Sequence, residues 1–314
     1  MATTTNITTT YAGKFAGEYI YSALKSSDTL DANVVTVKGN VKEAGITVKT
    51  LAGSGLIKGS TCDFTPTGTI TLAERKLVTK KMQVNLSQCK EDFEADWDEA
   101  SMGDSAFTGL PPAYDAALME FLQASVAENI DGLIWTGVAG ADEFDGFLTL
   151  LAADGNLPAA QNITSGVITN ANVIEKMQDA YAQIPANVYG KRDDLVICVS
   201  YNVGKAWTNA LAGFGTGGLG ANGVNGQGPN GEKAYDLSGT PIFEIGGLPD
   251  NTIIIYKRDE FWFGTGVLND TNEIKFLDMA EIDGSQNVRM IMRFYAGVQY
   301  AFAANVVVST ELGL

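Results

Sequence analysis

Six carboxylates crowd into the run Glu91, Asp92, Glu94, Asp96, Asp98 and Glu99, broken by Phe93, Ala95 and Trp97. Oxygen ligands at that density suit a hard cation such as Ca²⁺ or Mg²⁺, but an EF-hand loop requires glycine at its sixth position, where Trp97 stands. Phe93 and Trp97 are four residues apart, the spacing of one helix face, so the run reads as a solvated or interface face rather than a metal site. Gly218-Leu-Gly-Ala-Asn-Gly223 matches the dinucleotide fingerprint by letter. That fingerprint must follow a strand and open a helix, so that the glycines hug a pyrophosphate at the helix N-terminus. Here it follows a predicted helix and runs on into more Gly, Asn and Pro, which is the composition of a loop. Cys62, Cys89 and Cys198 are far apart and odd in number, and form neither a disulfide framework nor a CxxC site. Cys198 lies in an apolar run and reads as inert core, because a thiol is a nucleophile only where its pKa is lowered.

The chain contains no histidine. Without imidazole there is no Ser–His–Asp or Cys–His machinery and no His-ligated metal, and the side chain best suited to proton transfer near neutral pH is missing. No GxxxxGK[ST] phosphate loop and no evident carboxylate pair replaces it. The expected site inventory is therefore empty: no catalytic, cofactor-binding or metal residues, no cofactor, and no enzyme.

The 314 residues carry 37 acids against 21 bases, a net charge of −16, with 45% apolar and 18% charged residues. This is a globular composition, sufficient for one large domain or two ordinary ones. The acidity argues against a reader of nucleic-acid sequence, which needs a basic footprint, but not against a protein that encloses nucleic acid. The first ten residues hold neither a basic region nor an apolar run, so no signal peptide is expected, and no stretch approaches the ~20 apolar residues of a membrane helix.

The elements that would have to position a site are legible by period. A polar, Thr-rich start leads to Tyr11, Phe15, Tyr19 and Ala23, one face of a short helix that Gly13 and Gly17 weaken. From Val34 to Leu77, β-branched clusters (Val34-Val-Thr-Val37, Ile46-Thr-Val48, Thr69-Ile-Thr-Leu72) alternate with turn residues and predict long hairpins with little core of their own. After Pro111-Pro112, residues Ala113 to Trp135 predict one long helix of about 35 Å. Its stripe is Leu118, Leu122, Val126 and Ile130, widened by Phe121 and Leu133, with Asp115, Glu120, Glu128 and Asp131 off it.

Val173, Met177, Tyr181 and Ile184 predict a second helix. Val203, Ala206, Trp207, Ala210 and Leu211 predict a third, directly after the buried-strand run Leu195 to Val199. Phe214 to Asn230 is glycine-dense loop. Strands follow at Pro241–Ile245, Thr252–Tyr256 and Phe261–Phe263. A longer pair, Glu273–Ile282 and Asn287–Val298, is joined by the hairpin signal Asp283-Gly-Ser285. Arg289 and Arg293 share one face of the last strand, and Val306 to Val308 reads as strand.

Several of these segments resemble tailed-bacteriophage major capsid proteins. They are Glu128-Asn-Ile-Asp-Gly-Leu-Ile-Trp-Thr-Gly137 with Phe144-Asp-Gly-Phe-Leu148, Thr61 to Leu72, Leu237-Ser-Gly-Thr-Pro-Ile242, and Arg289-Met-Ile-Met-Arg-Phe-Tyr-Ala-Gly-Val-Gln-Tyr300. The resemblance spans most of the chain in consistent order. It implies an α+β chain of the Hong Kong 97-like capsid fold. Its parts would be an N-terminal arm (1–33), an extended β loop (34–82), a peripheral domain (83–162) with spine helix 113–135, an axial domain (163–266), and return strands of the peripheral domain (267–314). The implied function is a major capsid protein that self-assembles as pentamers and hexamers into an icosahedral shell enclosing phage dsDNA. The alternative is an encapsulin-like nanocompartment shell around a cargo enzyme.

Implied partners are further copies of the chain, a portal, and scaffolding or decoration proteins, with no sequence-specific DNA contact and no membrane. The place is the virion capsid, assembled in the bacterial host cytoplasm. Because the arm begins almost at Met1, a separate scaffolding protein or none is expected. The glycine-dense loop is expected near the capsomer centre, and the arm on neighbouring subunits.

Overall fold

Six consecutive apolar or small residues, Leu195 to Ser200, have nothing polar enough to face water, and all six are buried. A strand with that pattern needs cover on both faces and a neighbour on each edge. In this computed structural model β6 (Leu195–Ser200) receives both, lying between β8 (Thr240–Ile245, parallel) and β9 (Ile253–Lys257, antiparallel). The structure describes residues 28–38, 41, 46–54, 57, 59, 62, 69–89, 125–190, 194–213, 236–265, 274–279, 284–285 and 287–314. The early helix at 11–23, the acidic run 91–99, the first half of the predicted long helix and the glycine-dense loop 214–230 lie outside these residues.

The chain divides into two units. The larger comprises 28–81, 131–268 and 295–314, and the smaller takes its described residues from 82–130 and 269–294. In the larger unit a six-stranded sheet runs in the order β5-β13-β9-β6-β8-β7, with β5 at Asn162–Thr164, β7 at Asp236–Leu237 and β13 at Val307–Thr310. Two predicted helices pack on it, Val173–Ala182 and Tyr201–Gly213. Val173, Met177, Val203 and Trp207 meet Ile197, Val199, Ile253, Ile255 and Val307 in one core cluster.

β13 lies in the interior of the six-stranded sheet. It pairs parallel with β5 and antiparallel with β9. Val307 and Val308 are buried on opposite faces of the strand, which only an interior position in a covered sheet allows.

The larger unit contains a second strand set. β1 (Thr36–Lys38) lies parallel to β10 (Phe261–Thr265), and β10 pairs antiparallel with the end of β12 (Asn287–Tyr300) in the register Phe261↔Tyr300 to Thr265↔Ala296. The cluster Val34–Val37 is thus not the opening of a hairpin. Val34 and Val35 are fully buried, and a segment buried to that degree belongs to a core, not to a two-stranded excursion.

The hairpin proper is β2 (Ile46–Ser54) with β3 (Thr69–Leu77), antiparallel over nine residue pairs from Ile46↔Leu77 to Ser54↔Thr69 and forming a sheet of its own. In the smaller unit β11 (Ile274–Asp278) pairs antiparallel with the first half of β12, Ile274↔Met292 to Asp278↔Val288, and Gly284 in the predicted Asp-Gly turn takes φ 74°. The strand that follows the hairpin, β4 (Lys80–Cys89), also pairs with β12. Residues 125–136 are helical, as the period predicts. Among the described residues no helix is long and apolar enough to cross a membrane.

Candidate functional site

The feature with the clearest mechanical purpose is the root of the β2–β3 hairpin. A two-stranded ribbon is marginal by itself, so its direction must be set where it joins the body. At the join, Leu77 is 1% exposed and packs with Val41, Trp262, Ala301 and Phe302. The next residues cross the sheet at Gly264 and Gly297, which face each other in the β10–β12 register. A Cβ at Gly297 would sit 2.4 Å from the Val78 carbonyl oxygen, and one at Gly264 would sit 3.0 Å from the Leu77 side chain. At Gly297 the glycine marks a close backbone approach, one usual meaning of glycine inside a strand, and at Gly264 it leaves room for the Leu77 and Thr79 side chains. Thr79 Oγ1 donates to the Val41 carbonyl at 3.1 Å and Gln299 Nε2 to the Lys76 carbonyl at 3.2 Å, which ties both sides of the crossing.

One polar cluster completes the root. Arg75 on β3 pairs with Asp154, which follows the helix Phe147–Ala153, and the side chains are 26% and 10% exposed. The Tyr300 hydroxyl donates to Asp154 Oδ2 at 2.7 Å and to the Leu150 carbonyl at 3.3 Å, while the Arg75 guanidinium lies 4.5 Å above the Tyr300 ring. Asn156 adds a backbone N–H to Asp154 Oδ1 at 3.0 Å and its side-chain Nδ2 at 2.7 Å. Burial alone raises a carboxyl pKa. Here the donors from Arg75, Tyr300 and Asn156 outweigh it and hold Asp154 well below the ordinary carboxylate range. For Tyr300, burial and then the Asp154 hydrogen bond both push the phenol above its usual value, so it remains a donor.

A depressed carboxyl pKa contributes stability that is complete above the unfolded value, near 4, and is lost as pH falls through the lower folded value. Asp154→Asn is therefore expected to cost about 1.5–3 kcal/mol at pH 7. It should also flatten the decline in stability below about pH 4. Urea midpoints of both proteins at pH 7 and pH 3 check this, and parallel declines would remove Asp154 from the acid response.

The residues singled out for chemistry remain apart. Cys198 is fully buried on β6, where burial pushes its thiol up to about 12 against the lowering effect of its contact with the Tyr256 hydroxyl at 3.4 Å, so it is not a thiolate at neutral pH. Cys62 is exposed and Cys89 half-buried. Arg289 is exposed, and the side chain of Arg293 lies outside the described residues. Among the described residues no cluster of three or more His, Cys, Asp or Glu could hold a metal ion.

Sequence reasoning missed three sets of residues. Gly264 and Gly297 carried a readable signal, glycine inside strand runs. Arg75, Asp154 and Tyr300 carried none, being 79 and 146 residues apart. Asp131, expected off the apolar stripe, is 4% exposed, and its carboxylate accepts from the backbone N–H groups of Thr29 at 3.0 Å and Gly247 at 2.7 Å.

No protein-family model and no curated protein matches the sequence. Solved structures do match it. One is a chain from the capsid of an empty GTA particle, 12% identical, with 91% of this chain and 90% of that chain covered and a TM-score of 0.55. Another comes from Mycobacterium phage Adephagia, 13% identical, 91% and 90% covered, TM-score 0.56. A third comes from the procapsid of satellite phage P4, 11% identical, 96% and 99% covered, TM-score 0.50. The chain thus shares its α+β fold with phage capsid chains over nine-tenths of both lengths.

Proposed function

We propose that this chain is a capsid shell subunit of the Hong Kong 97-like type, which self-assembles as pentamers and hexamers into an icosahedral container for phage dsDNA. The observation that carries the reading is the likeness to a chain from the GTA capsid across 91% of this chain and 90% of the other. The hairpin supports it: nine residue pairs that form a sheet of their own, with Leu77, the Gly264/Gly297 crossing and the Arg75–Asp154–Tyr300 cluster concentrated at one end. Such a ribbon has unpaired strand edges and is stabilised when another chain covers it. The net charge of −16 disfavours tight genome binding, which suits a container that is filled and later emptied. A portal and scaffolding or decoration proteins would be the further partners, and the virion capsid the place.

Light scattering after size exclusion, with negative-stain microscopy of the same fractions, tests the reading. Closed shells or ring-shaped capsomers are expected. A species that stays strictly monomeric across salt and crowding conditions would overturn it.

A further inference from the structure

Residues 28–33 join the larger unit through a socket built from two carboxylates, backbone amides and an indole. Thr29 is fully buried, and helix 125–136 grips it from two residues one turn apart. Asp131 Oδ1 accepts from the Thr29 backbone N–H at 3.0 Å, and Trp135 Nε1 donates to Thr29 Oγ1 at 2.9 Å. The second Asp131 oxygen accepts from the Gly247 N–H at 2.7 Å, so one carboxylate joins the segment to the turn after β8. Asp28 makes the reciprocal connection, accepting from the Gly246 N–H at 3.2 Å and from the Tyr201 hydroxyl.

The Gly246-Gly247 pair is what lets that turn come close. A Cβ at Gly247 would lie 2.2 Å from the Asp131 carbonyl oxygen, and one at Gly246 would lie 2.8 Å from the Tyr201 ring. The segment itself is a single helical turn, Asp28–Asp31, closed by Asn33 in the left-handed region at φ 51° with its N–H on the Leu30 carbonyl at 3.1 Å. Beyond Asn33 the chain is committed to the core: Val34 and Val35 are fully buried, and the Tyr256 hydroxyl donates to the Val34 carbonyl at 3.2 Å.

We propose that residues 28–33 form a latch, seated by Asp131 and hinged at Asn33, that opens without unfolding the six-stranded sheet. One helical turn is far below the length that is stable unaided, so its order derives from the seat. The bonds that link Thr29 and Asp28 to Asp131, Trp135, Gly246 and Tyr201 are directional and break when the segment lifts away, while the Asp131–Gly247 bond stays with the body. The sheet is held instead by an extensive apolar cluster around β6 and β9. Segments held by few bonds open at a free energy well below that of global unfolding. With the latch closed, Asp28 is fixed on the larger unit, and with it open Asp28 is released. Asp131 is thus a positioning residue, and the latch goes beyond the shell reading because it is a property of the single chain.

Native-state hydrogen exchange on the unassembled full-length protein tests it, with amides of residues 28–33 and of β6 followed separately. In the wild type, low denaturant concentrations should speed exchange at 28–33 before β6 responds. Asp131→Asn keeps the shape but turns an N–H toward one of the two backbone donors. It is expected to speed exchange at 28–33 by about 10- to 100-fold, with β6 unchanged within about twofold. Thr29→Val, which removes only the bond from the indole, is the milder second variant and should speed the same amides several-fold. Unchanged exchange at 28–33 in both Asp131→Asn and Thr29→Val would mean that this socket does not seat the segment. Equal acceleration of 28–33 and β6, or one shared denaturant dependence in the wild type, would make the segment an inseparable part of the core. Either result overturns the latch, whether or not the protein forms shells.

Discussion

Replacing residues 49–74 by an Asn-Gly turn is expected to leave a folded chain that no longer closes into shells. Val48 and Arg75 face each other in the β2–β3 register, so a two-residue turn can join them with the root intact. The retained residues include Arg75, Leu77 and Thr79, which make the contacts with Asp154, Trp262 and the Val41 carbonyl. Among the described residues the ribbon beyond them supplies no strand to either larger sheet, so its loss leaves the pairing of β6 and β10 untouched. Circular dichroism and the thermal midpoint should stay near wild type, while light scattering and microscopy should show capsomers or monomers in place of shells. Normal shells from the shortened chain would show the ribbon to be dispensable and remove the structural support offered for the shell reading. Loss of folding would instead show that the ribbon stabilises the body that carries it.

The largest effect on stability is expected at Trp135. It is fully buried, with its ring centroid 5.4 Å from Phe147 and 6.3 Å from Tyr256. From there the aromatic contacts continue, Phe147 to Phe261 at 4.6 Å, Tyr256 to Phe261 at 3.9 Å and Phe261 to Tyr300 at 5.9 Å. The chain of rings ends at the phenol that holds Asp154, so the core of the larger unit and the root of the hairpin share a side chain. Trp135→Ala should cost about 3–5 kcal/mol, the transfer loss plus the cavity left among rings that cannot collapse. It also removes the indole bond to Thr29 and so loosens the latch. Trp135→Phe keeps most of the volume but not the donor, and is expected to lose roughly 1–2 kcal/mol. Chemical denaturation of both variants checks the order. A loss below about 1 kcal/mol for the alanine variant would mean that the ring cluster relaxes around the gap.

Much of this protein is written locally in its residues. Leu195 to Val199 reads as a strand covered on both faces because no polar side chain interrupts it, and the structure buries every one of those residues. Val173, Met177 and Tyr181 recur at the helix period and form one face of a helix against the sheet. Ile46–Val48 and Thr69–Leu72 fall inside the two strands of the hairpin, and Gly284 takes the positive φ that the Asp-Gly turn requires. The absence of histidine is likewise a property of the sequence alone, and it excludes imidazole chemistry whatever the fold.

Partner choice lay beyond that reach. The Val34–Val37 cluster and the C-terminal valines are equally β-branched, and nothing in their period says that the first supplies a strand parallel to β10, 226 residues away, or that the second joins β5 and β9. Period encodes which face of an element is apolar, and many faces are equally apolar. The same limit applies to Asp131. A charged residue off an apolar stripe reads as solvated, and only the approach of Thr29 and Gly247 supplies the two N–H donors that make its burial tolerable. Arg75, Asp154 and Tyr300 are ordinary surface letters until the fold brings them together, because hydrogen bonds and ion pairs act over a few ångströms in space and leave no trace in sequence spacing.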